Sequence, residues 1–574
     1  MKRRTFLQTT ATAGLLLGSS VQCQTGAAEN PQKEVLRNRP TKELSADVVI
    51  LGGGLGGCAA ALAALRNGLH VIMTEETDWI GGQLTAQSVP PDDHGWIESH
   101  GAPLSYRKFR TAVRDYYKSH YPLTDDAKKR IHLNPGDGAV SFLCHEPRVA
   151  LAVFYQLFNP YISSGKLTLL LEHKVFGADV DGDRIKSVAV RNHREGNELV
   201  LTAPYFVDAT ELGDLLPISG TEFRTGAESI EETGELHAAK KADPKNQQAF
   251  TYVFIMDYDP KGEHLIDKPE KYDFWRDFVP KMTPPWPGKL LDLTYSQPST
   301  LRPMTLRFDP VNVKTSGNVW QGLNLWHYRR IINQDNFLPG TYAGGATVVN
   351  WPQNDYLLGN LDGSEEEFQE HAAGAKQLSL SLFYWLQTEV PRPDGGNGWR
   401  GLRLRGDMLG TTDGLAKYPY VRESRRIEAV FTILEEHVGK VQRGKVLGEP
   451  ATLAAPFHDS VGVGYYPIDL HPSTGGDNYI DFAALRYQIP LGALLPKRMV
   501  NLLPANKNIG TTHLTNGCYR LHPTEWGIGE AVGSLVCFAI QKQTIPRAVR
   551  ENSDLLTEYQ NFLRSQGVET DWKK

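Results

Sequence analysis

Residues 46–75 read ADVVILGGGLGGCAAALAALRNGLHVIMTE, and the fold follows from how this stretch is divided. Ala46-Asp47-Val48-Val49-Ile50-Leu51 is a short β-branched run, which predicts a strand. It stops at Gly52-Gly53-Gly54-Leu55-Gly56-Gly57. Cys58 to Leu65 is rich in Ala and Leu and predicts a helix, closed by Gly68. Leu69 to Thr74 is a second apolar strand that ends at Glu75. Strand, glycine turn, helix, strand and acid together make one βαβ unit.

The glycine spacing has a chemical meaning. Gly52 permits the tight turn, Gly54 lets backbone approach a pyrophosphate, and Gly57 lets the helix pack closely on the strand. The helix N-terminus then offers N–H groups and a partial positive charge to a diphosphate. Glu75 lies 18 residues past Gly57, at the strand end where a carboxylate accepts both ribose hydroxyls. An acid at this place favours the unphosphorylated ribose of FAD or NAD over that of NADP.

Three segments further along select FAD. Gly81-Gly82-Gln83-Leu84 resembles the short motif that follows the acid in glutathione-reductase-type FAD domains. Asp208-Ala209-Thr210-Glu211-Leu212-Gly213-Asp214 resembles their A-T-G-D loop. RLHPTEWGIGEAVG (520–533) resembles their C-terminal flavin segment, where a helix N-terminus stabilises negative charge on a reduced flavin. With GGQLTAQ (81–87), CHEPRVAL (144–151), FVDATELGDLL (206–216) and YVRESRRI (420–427), the chain resembles a bacterial FAD-dependent oxidoreductase family. That family is often grouped with the flavin subunit of heterodisulfide reductase. The resemblance runs over most of the chain after about residue 46 and implies FAD as cofactor. It places Gly52, Gly54, Gly57, Glu75, Gly82, Asp214 and Gly529 at the cofactor, with Gln83 and Arg520 from the same motifs. It also places the backbone of Val175 on the adenine-facing strand. The heterodisulfide-linked members carry iron–sulfur cysteines, which this sequence lacks.

The remaining sequence bounds the molecule. With 574 residues, 40% hydrophobic and 22% charged, it has the composition of globular protein and the length of two to three domains. A formal charge of −5 gives no global positive field to hold nucleic acid. Lys2-Arg3-Arg4-Thr5-Phe6-Leu7, a short apolar run from Ala13 to Leu17 and the small residues Gly26-Ala27-Ala28 resemble a twin-arginine export signal. A periplasmic or otherwise exported location follows as an expectation, with no stable membrane span, because the apolar run is too short. Gln22 before Cys23 is a poor match to a lipoprotein anchor. None of the five cysteines forms a C-x-x-C pair, so no metal or cluster is expected, and the bland reading is buried thiols.

The expected architecture is α/β: a Rossmann-type FAD-binding domain from both chain ends with an inserted mixed α+β cap. The boundaries expected are a signal at 1–28, a linker at 29–45, FAD-binding parts at 46–220 and 481–550, the substrate/cap domain at 221–480 and a tail helix at 551–574. Leu167-Thr168-Leu169-Leu170-Leu171 and Tyr205-Phe206-Val207-Asp208 read as strands, and Val180 to Arg191 as a hairpin around Asp181-Gly182-Asp183. In the middle segment, Ser364 and Glu367 form a capping box that starts a helix running to about Glu389. Seven tryptophans (275, 286, 320, 326, 351, 385, 399) fall there, either as core or as stacking faces for a substrate.

The chemistry expected is hydride transfer from a small alcohol, polyol, sugar or amine to flavin, aided by a base. Histidine suits that base because its pKa lies near neutrality. His513, just before the flavin segment, is the first candidate, and His522, His471, His458 and His94 are its rivals. Arg422, Arg425 and Arg426 form a basic cluster that either clamps a substrate carboxylate or pairs internally. Electrons then pass to a quinone, a soluble carrier or oxygen, among which the sequence does not choose. The alternatives are a flavin-bearing lyase or isomerase acting on polysaccharide fragments, and a binding protein that retained only the fold.

Overall fold

The computed structural model describes residues 42–312 and 322–572. Two strands open the described chain: β1 (Lys42–Ser45) and β2 (Val48–Leu51). The glycine turn leads from β2 into α1 (Leu55–Arg66), and β3 (Val71–Glu75) follows. β4 (Leu167–Leu171) comes next, then β5 (His173–Asp181) and β6 (Arg184–Asn192), which form the hairpin expected around Gly182-Asp183. β7 (Glu198–Thr202) and β8 (Tyr205–Asp208) complete this region.

β2 pairs in parallel with β3 on one side and with β8 on the other, and β3 pairs in parallel with β4. Both faces of this sheet are covered, so β2 is a continuous apolar run whose alternation separates two cores. Val48 and Ile50 join the core that holds α1, whereas Val49 and Leu51 join the core that also holds Val175, Ile185, Val188 and Leu201 from β5, β6 and β7. The latter strands form a second sheet with β1 at its edge, in the order β1-β7-β6-β5.

The middle of the chain builds a four-stranded antiparallel sheet. Its strands are β9 (Phe254–Tyr258), β10 (Arg330–Ile332), β11 (Ala346–Val349) and β12 (Leu402–Leu404), in the order β10-β11-β9-β12. Between β11 and β12 runs α2 (Glu365–Thr388), capped by Ser364 with the expected reciprocal Glu367 bonds. Trp275, Trp286, Trp326, Trp351, Trp385 and Trp399 are buried together in one core cluster around it. Packing takes up their aromatic surface, which is the core alternative, although Trp326 also borders a cavity of about 680 Å³. Trp320 lies outside the described residues. A short antiparallel pair, β13 (Ile468–Leu470) and β14 (Ile480–Phe482), sets Asp469 opposite Asp481.

The chain then returns to the parallel sheet. β15 (Leu502–Pro504) pairs with β8, giving the order β15-β8-β2-β3-β4. This parallel, doubly covered sheet with a glycine turn after β2 is the expected Rossmann-type α/β arrangement. α3 (His522–Lys542) follows, and every residue from His522 to Ala539 is buried. It lies against α1 with backbone touching backbone. A Cβ at Gly529 would stand 2.0 Å from the Gly56 carbonyl oxygen, and one at Gly533 2.2 Å from that of Ala60. α4 (Ser553–Ser565), capped by Asn552, is the helix in the expected tail. Cys58, Cys144, Cys518 and Cys537 are all buried free thiols. Among the described residues, no helix is long and apolar enough to cross a membrane, and no cluster of His, Cys, Asp and Glu is arranged to hold a metal.

Candidate active site

Six residues singled out in the sequence line one cleft at the C-terminal edge of the parallel sheet: Gly52, Gly54, Glu75, Gly82, Val175 and Asp214. Gly52 has φ +97°, and a side chain there would drive a Cβ to 2.3 Å from the Ala209 carbonyl oxygen. The backbone N–H of Gly53 donates to Glu75 Oε2 at 2.9 Å, and the N–H and hydroxyl of Thr77 donate to Oε1, each at 2.8 Å. Burial pushes the Glu75 carboxyl up to about 8 even against these donors. Burial likewise raises the neighbouring Glu76, to about 7, despite its ion pair with Lys174 at 3.1 Å. Asp214 pairs with Arg425 at 3.2 Å.

The other predicted contacts divide. Gly57 acts as expected for helix packing, since its Cβ would lie 2.0 Å from the Gly52 oxygen. Gln83 donates from Nε2 to the Arg520 carbonyl oxygen at 3.0 Å and also to Glu525, while the Arg520 side chain enters a different, larger cavity. Gly529 does not face the cleft. It is the contact point of α3 on α1, and the reading of this glycine as a cofactor contact is corrected to one of helix packing.

The cleft continues over the start of α1, where the sequence reading had overlooked two residues. The Gly54 N-cap makes no side-chain bond. Instead Glu211 Oε1 lies 3.0 Å from the Cβ position of Gly54 and 2.9 Å from that of Gly82. Lys507 Nζ holds the other carboxylate oxygen of Glu211 at 2.5 Å and lies 3.5 Å from Glu525 Oε2. Glu525 Oε1 in turn accepts the Gly56 N–H at 3.0 Å. Four buried atoms around this cradle have no protein partner: Gln83 Oε1, Gln87 Oε1, Ser88 Oγ and Glu211 Oε1. A glycine-walled cradle at a helix N-terminus, a buried lysine and unpaired polar atoms fit the diphosphate and ribityl chain of FAD. Val175 and Glu75 fit its adenosine half. Glu211 sits inside the quoted DATELGD motif and was legible there, whereas Lys507 had no such flag.

A cavity of about 620 Å³ lies between this region and the middle segment. Its wall carries Tyr295, Tyr328, Arg329, Tyr420, Arg422, Tyr466, Asp469, His471, Tyr479, Asp481 and Arg520. His471 Nδ1 is 2.6 Å from Asp355 Oδ2. Asp355 Oδ1 is 2.9 Å from Arg422 Nη2 and accepts the Thr251 hydroxyl at 2.7 Å. Burial opposes the charge on Asp355, but Arg422 first and His471 second hold its carboxyl below the usual range. The ring of His471 is held low by burial and by the Arg422 charge, which together outweigh Asp355. Nδ1 of the ring therefore faces a carboxylate that Arg422 and His471 together hold below its usual range. Nε2 remains as the basic nitrogen, a pairing suited to general-base work.

The other histidines are engaged elsewhere. His513 does not line this cavity. It borders a small separate pocket, with Nδ1 at 2.9 Å from Glu423 Oε2 and its backbone N–H on Glu228. Burial works against its charge, yet the Glu423 carboxylate outweighs burial and holds the ring above its ordinary range. Burial would raise Glu423 too, but His513 and Arg426 hold it at about 2. The assignment of His513 as the base is corrected on position: it is not on the wall of the large cavity, and its ring is held by Glu423 beside a separate small pocket. Both ring nitrogens of His522 are occupied, one by the Asp92 N–H and one facing the Val89 oxygen. His94 bonds the Gly101 oxygen and burial lowers it to about 4, while His458 is exposed. The basic cluster pairs internally: Arg422 with Asp355, Arg425 with Asp214, and Arg426 with Glu228 and Glu423.

No protein of curated function matches the chain. Among solved structures, a geranylgeranyl bacteriochlorophyll reductase-like protein from Thermoplasma acidophilum is 9% identical, with 92% of this chain and 85% of that one covered at a TM-score of 0.31. A single-residue variant of FrdA from the E. coli quinol fumarate reductase is 10% identical over 92% and 74%, also at 0.31. A myxobacterial FAD-dependent halogenase, CndH of chondrochloren action, is 16% identical over 39% of this chain at 0.21, and the chain spans only 45% of its length. A family model described as FAD dependent oxidoreductase matches residues 47–563, and the chain belongs to that family.

Proposed function

We propose that this flavoprotein oxidises a small organic donor, an alcohol or polyol before an amine, in the 620 Å³ cavity with His471 as base. The observation that carries the reading is the 2.6 Å contact of His471 Nδ1 with Asp355 on the cavity wall. FAD held in the cleft would supply a two-electron acceptor for the donor's C–H hydride, which itself carries both electrons. The protein's part is to seat the donor, shed water and move one proton. Nε2 of His471 takes the hydroxyl proton as the carbonyl forms, and Asp355 fixes the ring tautomer and steadies the imidazolium. Thr251 and Arg422 keep Asp355 ionised and in place.

Anaerobic mixing of FAD-loaded protein with sugars, polyols and amines tests this, read as bleaching of the flavin absorbance. His471→Asn keeps the Nδ1-side hydrogen bond but lacks the base, and bleaching slows by roughly 10²–10⁴-fold. Bleaching at the wild-type rate in that variant overturns the assignment.

We also infer a glutathione-reductase-type cofactor domain from 46–220 and 481–550, capped by 221–480, in the branch allied to the heterodisulfide reductase flavin subunit. Support comes from β15 entering the parallel sheet beside β8. Export by the twin-arginine route is proposed from Arg3-Arg4-Thr5-Phe6-Leu7 alone, which lies outside the described residues. Arg3→Lys with Arg4→Lys retains the protein in the cytoplasm if this is right, and secretion of that variant refutes it.

A further inference from the structure

The cavity wall holds two guanidinium groups whose donors the protein leaves largely unused. Arg329 is 7% exposed, yet among the described residues its guanidinium's one hydrogen bond is Nη1 to Asp92 Oδ1 at 3.5 Å, the outer limit of such a bond. Its Nε has no partner, and its charged end lies 4.9 Å from the Tyr328 ring. Arg520 is 3% exposed and reaches the Tyr420 hydroxyl at 3.3 Å and Asp469 at 3.1 and 3.4 Å, again with Nε unpartnered. Elsewhere the buried Arg110 and Arg426 also leave Nε unpartnered, but their terminal nitrogens are held closely. Arg110 meets both Asp93 oxygens at 3.0 Å, and Arg426 meets Glu228 at 2.8 Å. A guanidinium carries five donors and a permanent charge, so burying one without close acceptors is costly.

The two groups act on one place, because Asp92, Tyr420 and Tyr466 interact with both. Of the acids on the wall, Asp92 pairs with Arg329 and Asp469 with Arg520, but only at 3.5 and 3.4 Å. Asp93 is committed to Arg110, and burial together with Asp469 pushes the Asp481 carboxyl up to about 7.

We propose that the donor carries a carboxylate, received by Arg329 with Arg520 beside it, next to the carbon whose hydroxyl faces His471. The substrate class is thus a hydroxy acid, oxidised at carbon to the corresponding oxo acid: the C–H hydride leaves to FAD and the O–H proton to His471. This rests on the reading of the cavity as the oxidation site. A fork of parallel N–H donors matches a carboxylate in two bonds, which a neutral polyol cannot exploit.

The test uses FAD-loaded full-length protein and matched donors: gluconate against sorbitol, lactate against 1,2-propanediol, and alanine for the amino-acid arm. Oxalate, which has no C–H to give, serves as a binding probe through its shift of the bound flavin spectrum. The acids bleach the flavin at least tenfold faster than their neutral partners. Oxalate binding weakens roughly 30-fold or more in Arg329→Met, the loss expected when one side of a buried charge pair is truncated. Arg329→Lys, which keeps the charge without the fork, recovers part of it, and flavin content of each variant reports folding. Neutral donors bleaching as fast as their acids, or oxalate binding unchanged in Arg329→Met, overturns the carboxylate site while leaving His471 as base. Alanine bleaching in place of the hydroxy acids rejects the hydroxy-acid class. Acids that bleach equally well in His471→Asn reject the base and leave the carboxylate site standing.

Discussion

Replacing Gly529 by alanine tests how the cofactor cradle is supported. The added Cβ falls 2.0 Å from the Gly56 oxygen and 2.8 Å from its Cα, both backbone atoms of α1. No flexible side chain is there to yield, so α3 and α1 part by roughly 1 Å or more. Overpacking a core costs about 1–3 kcal/mol when side chains can adjust, and two rigid helices place this change at about 3 kcal/mol. The displaced segment is the first turn of α1, which borders the cleft read as the diphosphate site, so FAD affinity falls at least tenfold, or about 1.4 kcal/mol. Gly527 is the control in the same helix: a Cβ there meets its nearest atom, Ile489 Cδ1, at 3.5 Å, an ordinary contact. Gly527→Ala gains helix propensity and is neutral to about 1 kcal/mol stabilising. Denaturant unfolding gives the stability difference, and quenching of FAD fluorescence on titration gives the affinity. If Gly529→Ala matches Gly527→Ala in both, the helices do not meet as described.

Other outcomes follow from the charges. Glu211→Gln removes a carboxylate beside the Gly54–Gly82 cradle and frees Lys507, so FAD binds about tenfold tighter, whereas Lys507→Met weakens it; charges about 4 Å apart at an effective dielectric near 20 interact by about 4 kcal/mol, ample for such a change. Equilibrium dialysis with FAD measures both, and looser binding by Glu211→Gln contradicts the arrangement. Because His471 titrates below the ordinary imidazole range, flavin reduction stays level through neutral pH and declines only under about pH 6.5; stopped-flow rates that drop between pH 8 and about 7 would be incompatible. For the His513–Glu423 pair, the raised imidazole contributes stability below its unfolded pKa of about 6.5 and loses it as pH rises through the higher folded value. The lowered carboxyl contributes above about 4.3 and loses its share as pH falls toward about 2. The stability gap between wild type and His513→Gln is therefore widest from about pH 4.5 to 6.5 and narrows on both sides; denaturation midpoints of the two proteins across pH check it.

Much of the cofactor cleft was legible because its signals are local. The turn from β2 to α1, the acid at the end of β3 and the glycine pair at 81–82 are each fixed within a few residues of their neighbours, and the Ser364 cap likewise needed only Glu367. The substrate side was less legible because its partnerships are distant in sequence. Asp355 and His471 are 116 residues apart, and His513 finds Glu423 across 90. Proximity in sequence to the flavin segment favoured His513, but tertiary structure decided which imidazole lines the large cavity. Gly529 shows the ambiguity of a helical glycine, which admits a ligand or a second backbone equally well, and only the register of α3 against Gly56 separates the two.

The sheet that carries the glycine turn is completed by β15, more than 450 residues after β2 in the chain, and α3 arrives later still. On the ribosome, β8 therefore waits with an open edge, and the first turn of α1 waits for its buttress, until residues 502–542 have been made. Cofactor uptake thus reports that the chain extends through α3: a product truncated before about residue 540 lacks the helix packed behind the start of α1 and remains colourless, whatever else of it has folded.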